Sequence, residues 1–327
     1  MKRNFLLFPF IALLAFSCST DRGIQQILGI NAEAPVFLEC RPVSSTEIVF
    51  RFSHPVRLVS LNMDPALKAA GVEEGNEVKI SFDRPLEEGK RFTADILVED
   101  TDRNSLNVIV PFRARNDRMP LLVFNELRFD NSSSNHKVEF VEFKALEDGN
   151  LGAMRLFVAH QSLTGPFYEF PPAEVKAGEY IVLHTRTVEE GCVDETGQDL
   201  GLSKGVEAEK TARDFWIPGN KKLLHNTNGL WLLDQDDRII DALLLSEAPE
   251  LAGVSAALTK TFYAAAEFLG KNNAWDPNDA VITRGTTNTR TLCRDETIPH
   301  ERKAINWYIT ATSCATPGKI NNTKRNN

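Results

Sequence analysis

The chain has 327 residues, 42% of them hydrophobic and 25% charged, which suits two domains with separate cores and excludes a disordered polypeptide. Acidic residues number 45 against 37 basic ones, and no dense Lys/Arg block occurs beyond the short Lys324-Arg325 tail. An acidic surface repels phosphate backbones, so a nucleic acid is not an expected partner.

The first element is a leader. Lys2 and Arg3 precede an uncharged run at residues 5–16, FLLFPFIALLAF. As a helix this run rises only ~18 Å, short of the ~30 Å hydrocarbon core of a bilayer. It has the anatomy of a secretory signal peptide rather than a spanning helix. Ala15-Phe16-Ser17-Cys18 resembles the lipobox of bacterial lipoproteins, with Phe16 departing from the strict form of that pattern. The resemblance implies that residues 1–17 are removed, that Cys18 is acylated, and that residues 18–34 form a tether. More than one acyl chain, at ~0.8 kcal/mol per buried methylene, gives stable anchoring. The expected location is a bacterial membrane outside the cytoplasm, on its periplasmic side or at the cell surface. Loss of Lys2 and Arg3 leaves 35 basic residues against 45 acidic ones, a formal charge of −10.

Residues 35–56, PVFLECRPVSSTEIVFRFSHPV, contain short apolar runs broken by Pro and Ser. Ile48, Phe50 and Phe52 alternate with Glu47, Val49 and Arg51, the period of a half-buried strand. Further strands are expected at residues 77–82, 91–99 and 106–112, separated by the turn-rich DRPLEEGK and EDTDRNS. Short strands at this spacing predict a β-sandwich. STEIVFRFSHPV and FDRPLEEGKRFTADILVEDTDRNSL resemble bacterial Ig-like modules, which implies a spacer or adhesive domain at residues 35–115.

After the polar stretch ARNDRMP the patterning restarts. Strands are expected at residues 121–129, 137–145, 154–159 and 179–184, and residues 230–234 and 238–244 flank DQDD as a hairpin. Residues 187–222, rich in Gly, Asp, Glu and Lys, predict a long surface loop. Residues 248–270, rich in Ala and Leu, predict one short helix or two inserted in a β-domain. The fold class is therefore all-β, with two tandem sandwiches and a helical insertion.

Six segments in order resemble a lamin tail domain, an Ig-like β-sandwich also found in secreted bacterial proteins: LLVFNELRFD, HKVEFVEFKAL, AMRLFVAHQ, VKAGEYIVLH, LHNTNGLWLLDQDDRIIDAL and the closing NWYITATSCATPGKIN. The resemblance covers residues 120–322 and singles out Asn125, Glu126, Glu142, Gly178, Tyr180, Asn228, Gly229, Asp241, Trp307, Pro317 and Gly318 as scaffold positions. Leu230 stands where the family usually has an acidic residue, and Asp237 where it has a turn glycine. The resemblance implies an interaction or architectural module without catalysis and without a cofactor.

The chemistry-bearing residues are weighed against that reading. Glu126 and Glu142 alternate with Leu122 and Phe124, and with Val138 and Phe140, so each is expected to share a strand face with apolar neighbours. With Glu139 they offer three carboxylates that serve either as an acid–base pair or as partners of backbone N–H groups and basic side chains. A scaffold role is expected, with Arg128, Lys144 and Arg294 as candidate partners. Asp234, Asp236 and Asp237 are calcium candidates by composition, but lack the spacing of an EF-hand and sit in a hairpin turn. The six histidines, His54, His136, His160, His184, His225 and His300, show no metal-site spacing, and no nucleophile elbow or phosphate loop occurs.

Apart from Cys18 the cysteines are Cys40, Cys192, Cys293 and Cys314, an even set that an oxidising compartment allows to pair. Cys293 and Cys314, on the last two expected strands, are the favoured bridge, which would contribute ~3 kcal/mol through the unfolded state. Cys40 and Cys192 are left unpaired. The combined expectation is a lipid-anchored, non-catalytic binding, adhesion or envelope-scaffold protein with a protein or surface-polymer partner. The alternative is a secreted metal-dependent hydrolase using acidic residues of the C-terminal domain.

Overall fold

The computed structural model describes residues 33–132 and 137–326; the expected leader, Cys18, most of the expected tether and His136 lie outside the described residues. The described chain is mostly β-sheet, with one α-helix and several sheets, none closed into a barrel. It divides into two units: residues up to Leu86 with Arg91–Phe112, and Glu87–Lys90 with Arg113–Asn327.

The first unit is built on strands β1 (Phe37–Ser44), β2 (Glu47–Asp64), β3 (Ala69–Glu73), β4 (Gly75–Phe82), β5 (Arg91–Glu99) and β6 (Ser105–Arg113). Along β5 burial alternates strictly, with Phe92, Ala94, Ile96 and Val98 inside, because successive Cβ atoms leave opposite faces of a strand. The sheet order is β3-β4-β2-β5-β6, and β1 also pairs with β2. The long β2 changes partner along its length: Glu47–Arg51 runs against β4, and Arg57–Asp64 against β5. Pro55 sits at the changeover, where a missing N–H breaks no ladder bond.

The second unit carries β7 (Leu122–Arg128), β8 (Phe140–Ala145), β9 (Gly149–Asn150), β10 (Arg155–Val158), β11 (Tyr168–Glu169), β12 (Glu174–Val175), β13 (Tyr180–His184), β14 (Arg213–Trp216), β15 (Asn228–Leu233), β16 (Ile239–Ser246), helix α1 (Ala256–Lys271), β17 (Val281–Ile282), β18 (Leu292–Arg294) and β19 (Trp307–Ile309). A six-stranded sheet has the order β14-β13-β8-β7-β18-β19, and a five-stranded one the order β11-β10-β15-β16-β17. Their inner faces supply one core, with Phe124, Phe143, Ile181 and Leu183 from the first sheet and Leu156, Leu230, Leu232 and Leu243 from the second. At about 1.5–3 kcal/mol per buried large apolar side chain, this layer is the main source of cohesion.

The outer face of the five-stranded sheet is also apolar, and α1 covers it. Trp231 sits there with its ring centroid 4.8 Å from that of Phe268. Gly229 allows the close approach, since a Cβ at that position would stand 2.4 Å from Ala265 Cβ. Ser255 caps the helix, its hydroxyl accepting the Leu258 N–H at 3.4 Å.

One expectation needs correction. Residues 187–222 are not a loop throughout, because Arg213–Trp216 forms β14, fully buried and parallel to β13. The Arg-Asp start of that strand hid it. Both polar groups are satisfied inside the fold, Arg213 by Glu179 (2.9 Å) and by the carbonyls of Glu174 (2.7 Å) and Gly197 (2.9 Å), and Asp214 by His184 (2.7 Å).

Candidate functional site

The candidate site lies on the outer face of the six-stranded sheet, and a bulge creates it. Phe124 pairs with Phe143, yet the next matched pair is Glu126 with Glu142, leaving Asn125 as the extra residue of β7. Leu122 and Phe124 point into the core, and beyond the bulge Leu127 and Phe129 do so. Glu126 is thereby turned away from Leu122 and Phe124, contrary to the simple alternation, and comes to lie opposite Glu142. Glu142 does share its face with Phe140, as expected, alongside Val182.

The segment following β19 folds over this face. The Glu126 carboxylate accepts the Thr316 N–H and the Thr316 hydroxyl, both at 3.1 Å to Oε2. Glu142 Oε1 accepts Asn125 Nδ2 at 2.8 Å, and its Oε2 accepts the Gly318 N–H at 2.6 Å. Pro317, between the two donors, has no N–H to satisfy, and Gly318 holds φ at 78°. Asn321 extends the seam, its side-chain amide donating to the carbonyls of Asn125 (3.1 Å) and Arg294 (2.9 Å). Arg294 Nη2 donates to Asn125 Oδ1 at 3.0 Å. Glu296 gathers the remaining donors: the Asn321 N–H at 2.9 Å, the Tyr180 hydroxyl at 3.0 Å and the Lys144 ammonium.

Charge within the cluster is uneven. Burial, and then the nearby Glu126 carboxylate, push Glu142 well above the usual carboxylate range; burial also raises Glu126. Burial acts on Glu296 too, but the Lys144 ammonium and the Asn321 N–H outweigh it and hold Glu296 low. Burial thus favours the protonated form of the pair, while Lys144 favours the charged form of Glu296. A general acid must reach the proton-accepting atom of a substrate, whereas both glutamates are 0% exposed. Two surface pockets, of about 390 and 340 Å³, are lined by Asn131, Lys137, Arg186 and Asn220, and by Trp275, Asp276 and Arg302; neither includes Glu126 or Glu142.

The other anticipated residues fall as follows. Glu139 Oε1 accepts the N–H groups of Leu223 and Leu224, away from the pair. None of the three candidate cations bonds directly to Glu126 or Glu142: Arg128 pairs with Glu207, Lys144 with Glu296, and Arg294 with Asn125. Asp241 reaches across to the first sheet, accepting the Phe124 N–H at 2.8 Å while His300 stands 3.2 Å away. Gly178 occupies a turn at φ 88°, Asn228 Oδ1 accepts the His160 N–H at 3.0 Å, and Trp307 is buried beside Arg294 on the neighbouring strand.

The three aspartates of the hairpin are engaged by protein groups. Asp234 Oδ1 accepts the N–H groups of Asp236 and Arg238, Asp236 pairs with Arg115 at 3.0 Å, and Asp237 with Arg155 at 2.7 Å. Among the described residues no three His, Cys, Asp or Glu side chains are placed to hold a metal ion.

The bridge expected between Cys293 and Cys314 is not formed; both are free, as are Cys40 and Cys192. Cys293 lies opposite Glu126 in the sheet and within 3.6 Å of the Thr291 hydroxyl, buried inside the seam, whereas Cys314 belongs to the covering segment. Sequence reasoning missed Glu296 altogether, although the Arg-Asp-Glu run that starts at the last residue of β18 places a cation before two acids, directly after Cys293.

Comparison with known proteins adds a family and little else. Residues 120–309 match a family model described as a protein second domain. A Treponema pallidum (strain Nichols) protein named only as uncharacterized is 31% identical over 152 residues, covering 45% of this chain. The match spans 37% of that relative's length. Among solved structures, the N-terminal part of the bacterial S-layer protein SbsC has 16% identity and a TM-score of 0.26 over 46% of this chain and 40% of its own. L,D-transpeptidase 3 from Mycobacterium tuberculosis has 12% identity and a TM-score of 0.19 over 57% and 99%. Likenesses this slight carry no argument about fold or chemistry.

Proposed function

We propose that this chain, which belongs to the protein second-domain family (TP_1001_2nd), is a lipid-anchored, exported bacterial protein with a non-catalytic binding, adhesion or envelope-scaffold role. In this reading residues 35–115 are a bacterial Ig-like module and residues 120–322 a lamin-tail-like β-sandwich with α1 inserted. Residues 1–17 are a signal peptide, and acylated Cys18 holds the protein to a membrane outside the cytoplasm. The partner is a protein or a surface polymer, met by loops that the sheets hold in place.

One observation carries the non-catalytic reading. Glu126 and Glu142, the pair best placed for acid–base work, are sealed beneath Thr316 and Gly318 and accept their N–H groups. Carboxylates used in this way support a structural seam rather than a reactive cleft.

The anchor is tested by feeding labelled palmitate to cells that express the wild type or Cys18→Ala, with protease shaving of the intact cells. Label in the wild type that disappears in Cys18→Ala, together with a shaved or periplasm-protected product, is the expected result. Full acylation of Cys18→Ala overturns the anchor, and a product confined to the cytoplasm overturns export.

A further inference from the structure

His160 and His225 lie far apart in sequence, yet their rings are in contact, with centroids 3.9 Å apart at an interplanar angle of 61°. His160 follows β10 and His225 precedes β15, and these strands pair with Val158 opposite Leu230. Three hydrogen bonds lock the two turns together. Ala159 N–H reaches the Gly229 carbonyl at 2.9 Å, His160 N–H reaches Asn228 Oδ1 at 3.0 Å, and the Gln161 side-chain amide reaches the Leu223 carbonyl at 2.8 Å.

The other described histidines each have a carboxylate: His54 with Asp100, His184 with Asp214, and His300 with Asp241. His160 and His225 have none; each is half-buried and has the other imidazole as its ring neighbour. Two imidazoles in contact repel when both are protonated, so the contact favours a state in which at least one is neutral. A neutral imidazole nitrogen is the commonest protein ligand for zinc, copper and nickel.

We propose that His160 and His225 form a two-imidazole site for a borderline transition cation of the Zn²⁺, Ni²⁺ or Cu²⁺ class, with water or an exogenous donor completing the shell. Two nitrogens bound at about 2.1 Å to one tetrahedral ion stand roughly 3.4 Å apart. Ring centroids 3.9 Å apart put the two imidazoles close to this spacing, and the broad Cβ–Cγ torsion lets each ring turn. Burial, and then the His160 ring and the Lys222 charge, hold His225 below its ordinary value. Lys222, the cation that would oppose a metal, is paired with Asp130 at 2.9 Å. The calcium candidates Asp234, Asp236 and Asp237 play no part; the donors here are nitrogens.

The test is Zn²⁺ titration of the full chain by calorimetry at about pH 7.5 and about pH 5.5, where imidazole changes from neutral to charged. One-to-one binding is expected at the higher pH, weakened roughly tenfold or more at the lower pH and in both His160→Gln and His225→Gln. Substoichiometric Cu²⁺ is expected to broaden the imidazole proton resonances of these two histidines before those of His54, His184 and His300, a readout that needs no variant. Zn²⁺ binding unchanged in both variants, or Cu²⁺ leaving both resonances sharp, overturns the site.

Discussion

Glu126 and Glu142 stand directly opposite each other on adjacent antiparallel strands, and both accept backbone N–H groups from a single turn, Glu126 from Thr316 and Glu142 from Gly318. The C-terminal segment is thus a working layer of the second unit. Its docking site is a pair of buried carboxyl groups that share the face only because β7 bulges at Asn125.

Removing either acceptor leaves a buried N–H without a partner, at a cost of about 1–3 kcal/mol. Glu126→Ala and Glu142→Ala are expected to lower stability by that amount in urea unfolding. The double variant should lose less than the two combined, since one turn serves both. Glu142→Gln keeps an acceptor oxygen for the Gly318 N–H and loses only the bond from the Asn125 amide, so its loss should be smaller than that of Glu142→Ala. A Gln variant as damaged as the Ala variant would show that the N–H bond is not what matters.

Stability should depend on pH in a definite direction. Burial raises the folded-state values of Glu142 and Glu126 above the ordinary 4.5, so the folded protein holds more protons than the unfolded chain above that value. Stability from this pair is therefore present below 4.5 and declines as pH rises through the folded values. Glu296, held low by Lys144, acts oppositely: its contribution is present above 4.5 and is lost as pH falls through its folded value. Urea midpoints measured across pH should peak on the mildly acidic side, and Glu142→Gln should flatten the alkaline limb. An unchanged alkaline slope in that variant would refute the raised carboxylate.

Gly229→Ala should loosen α1, because the new methyl would meet Ala265 Cβ at 2.4 Å. Overpacking of this kind costs about 1–3 kcal/mol. Adding Ala265→Gly makes room, though glycine inside a helix itself costs about 1 kcal/mol. The double variant should therefore recover part of the loss in thermal unfolding. No recovery would mean that the helix does not press on this strand.

Alkylation separates the thiols. Cys293 is fully buried, and burial followed by the Glu126 carboxylate raises its value well above the ordinary 9.0. Its reaction with iodoacetamide should follow global unfolding. Cys314, half-buried, should react first, and native mass should show no bridge between the two. Prompt modification of Cys293 in the native protein would contradict the seam.

Much of the fold was legible from local pattern. Expected strands 77–82, 91–99 and 106–112 fall within β4, β5 and β6, the hairpin flanking DQDD is β15 and β16, and the Ala-rich segment 248–270 holds all of α1 but its last residue, Lys271. Each carries its own period in a contiguous stretch, and period is a local property. The bulge also left a trace: the core residues Leu122, Phe124, Leu127 and Phe129 break a two-residue spacing with a step of three. β14 left none, since a strand opening on Arg213 and Asp214 looks polar until Glu179 and His184 are brought beside it.

By itself the chain's order of residues determined where strands form, which faces are apolar and that one helix interrupts them, because alternation and helix-forming composition act between near neighbours. Only the tertiary structure decided what the polar residues do. Glu126 and Thr316, Glu142 and Gly318, Lys144 and Glu296, and His160 and His225 are each far apart along the chain, and pairing across such distances follows from sheet order and strand register. A carboxylate's charge state is set by whatever that register places against it, and no local pattern encodes this.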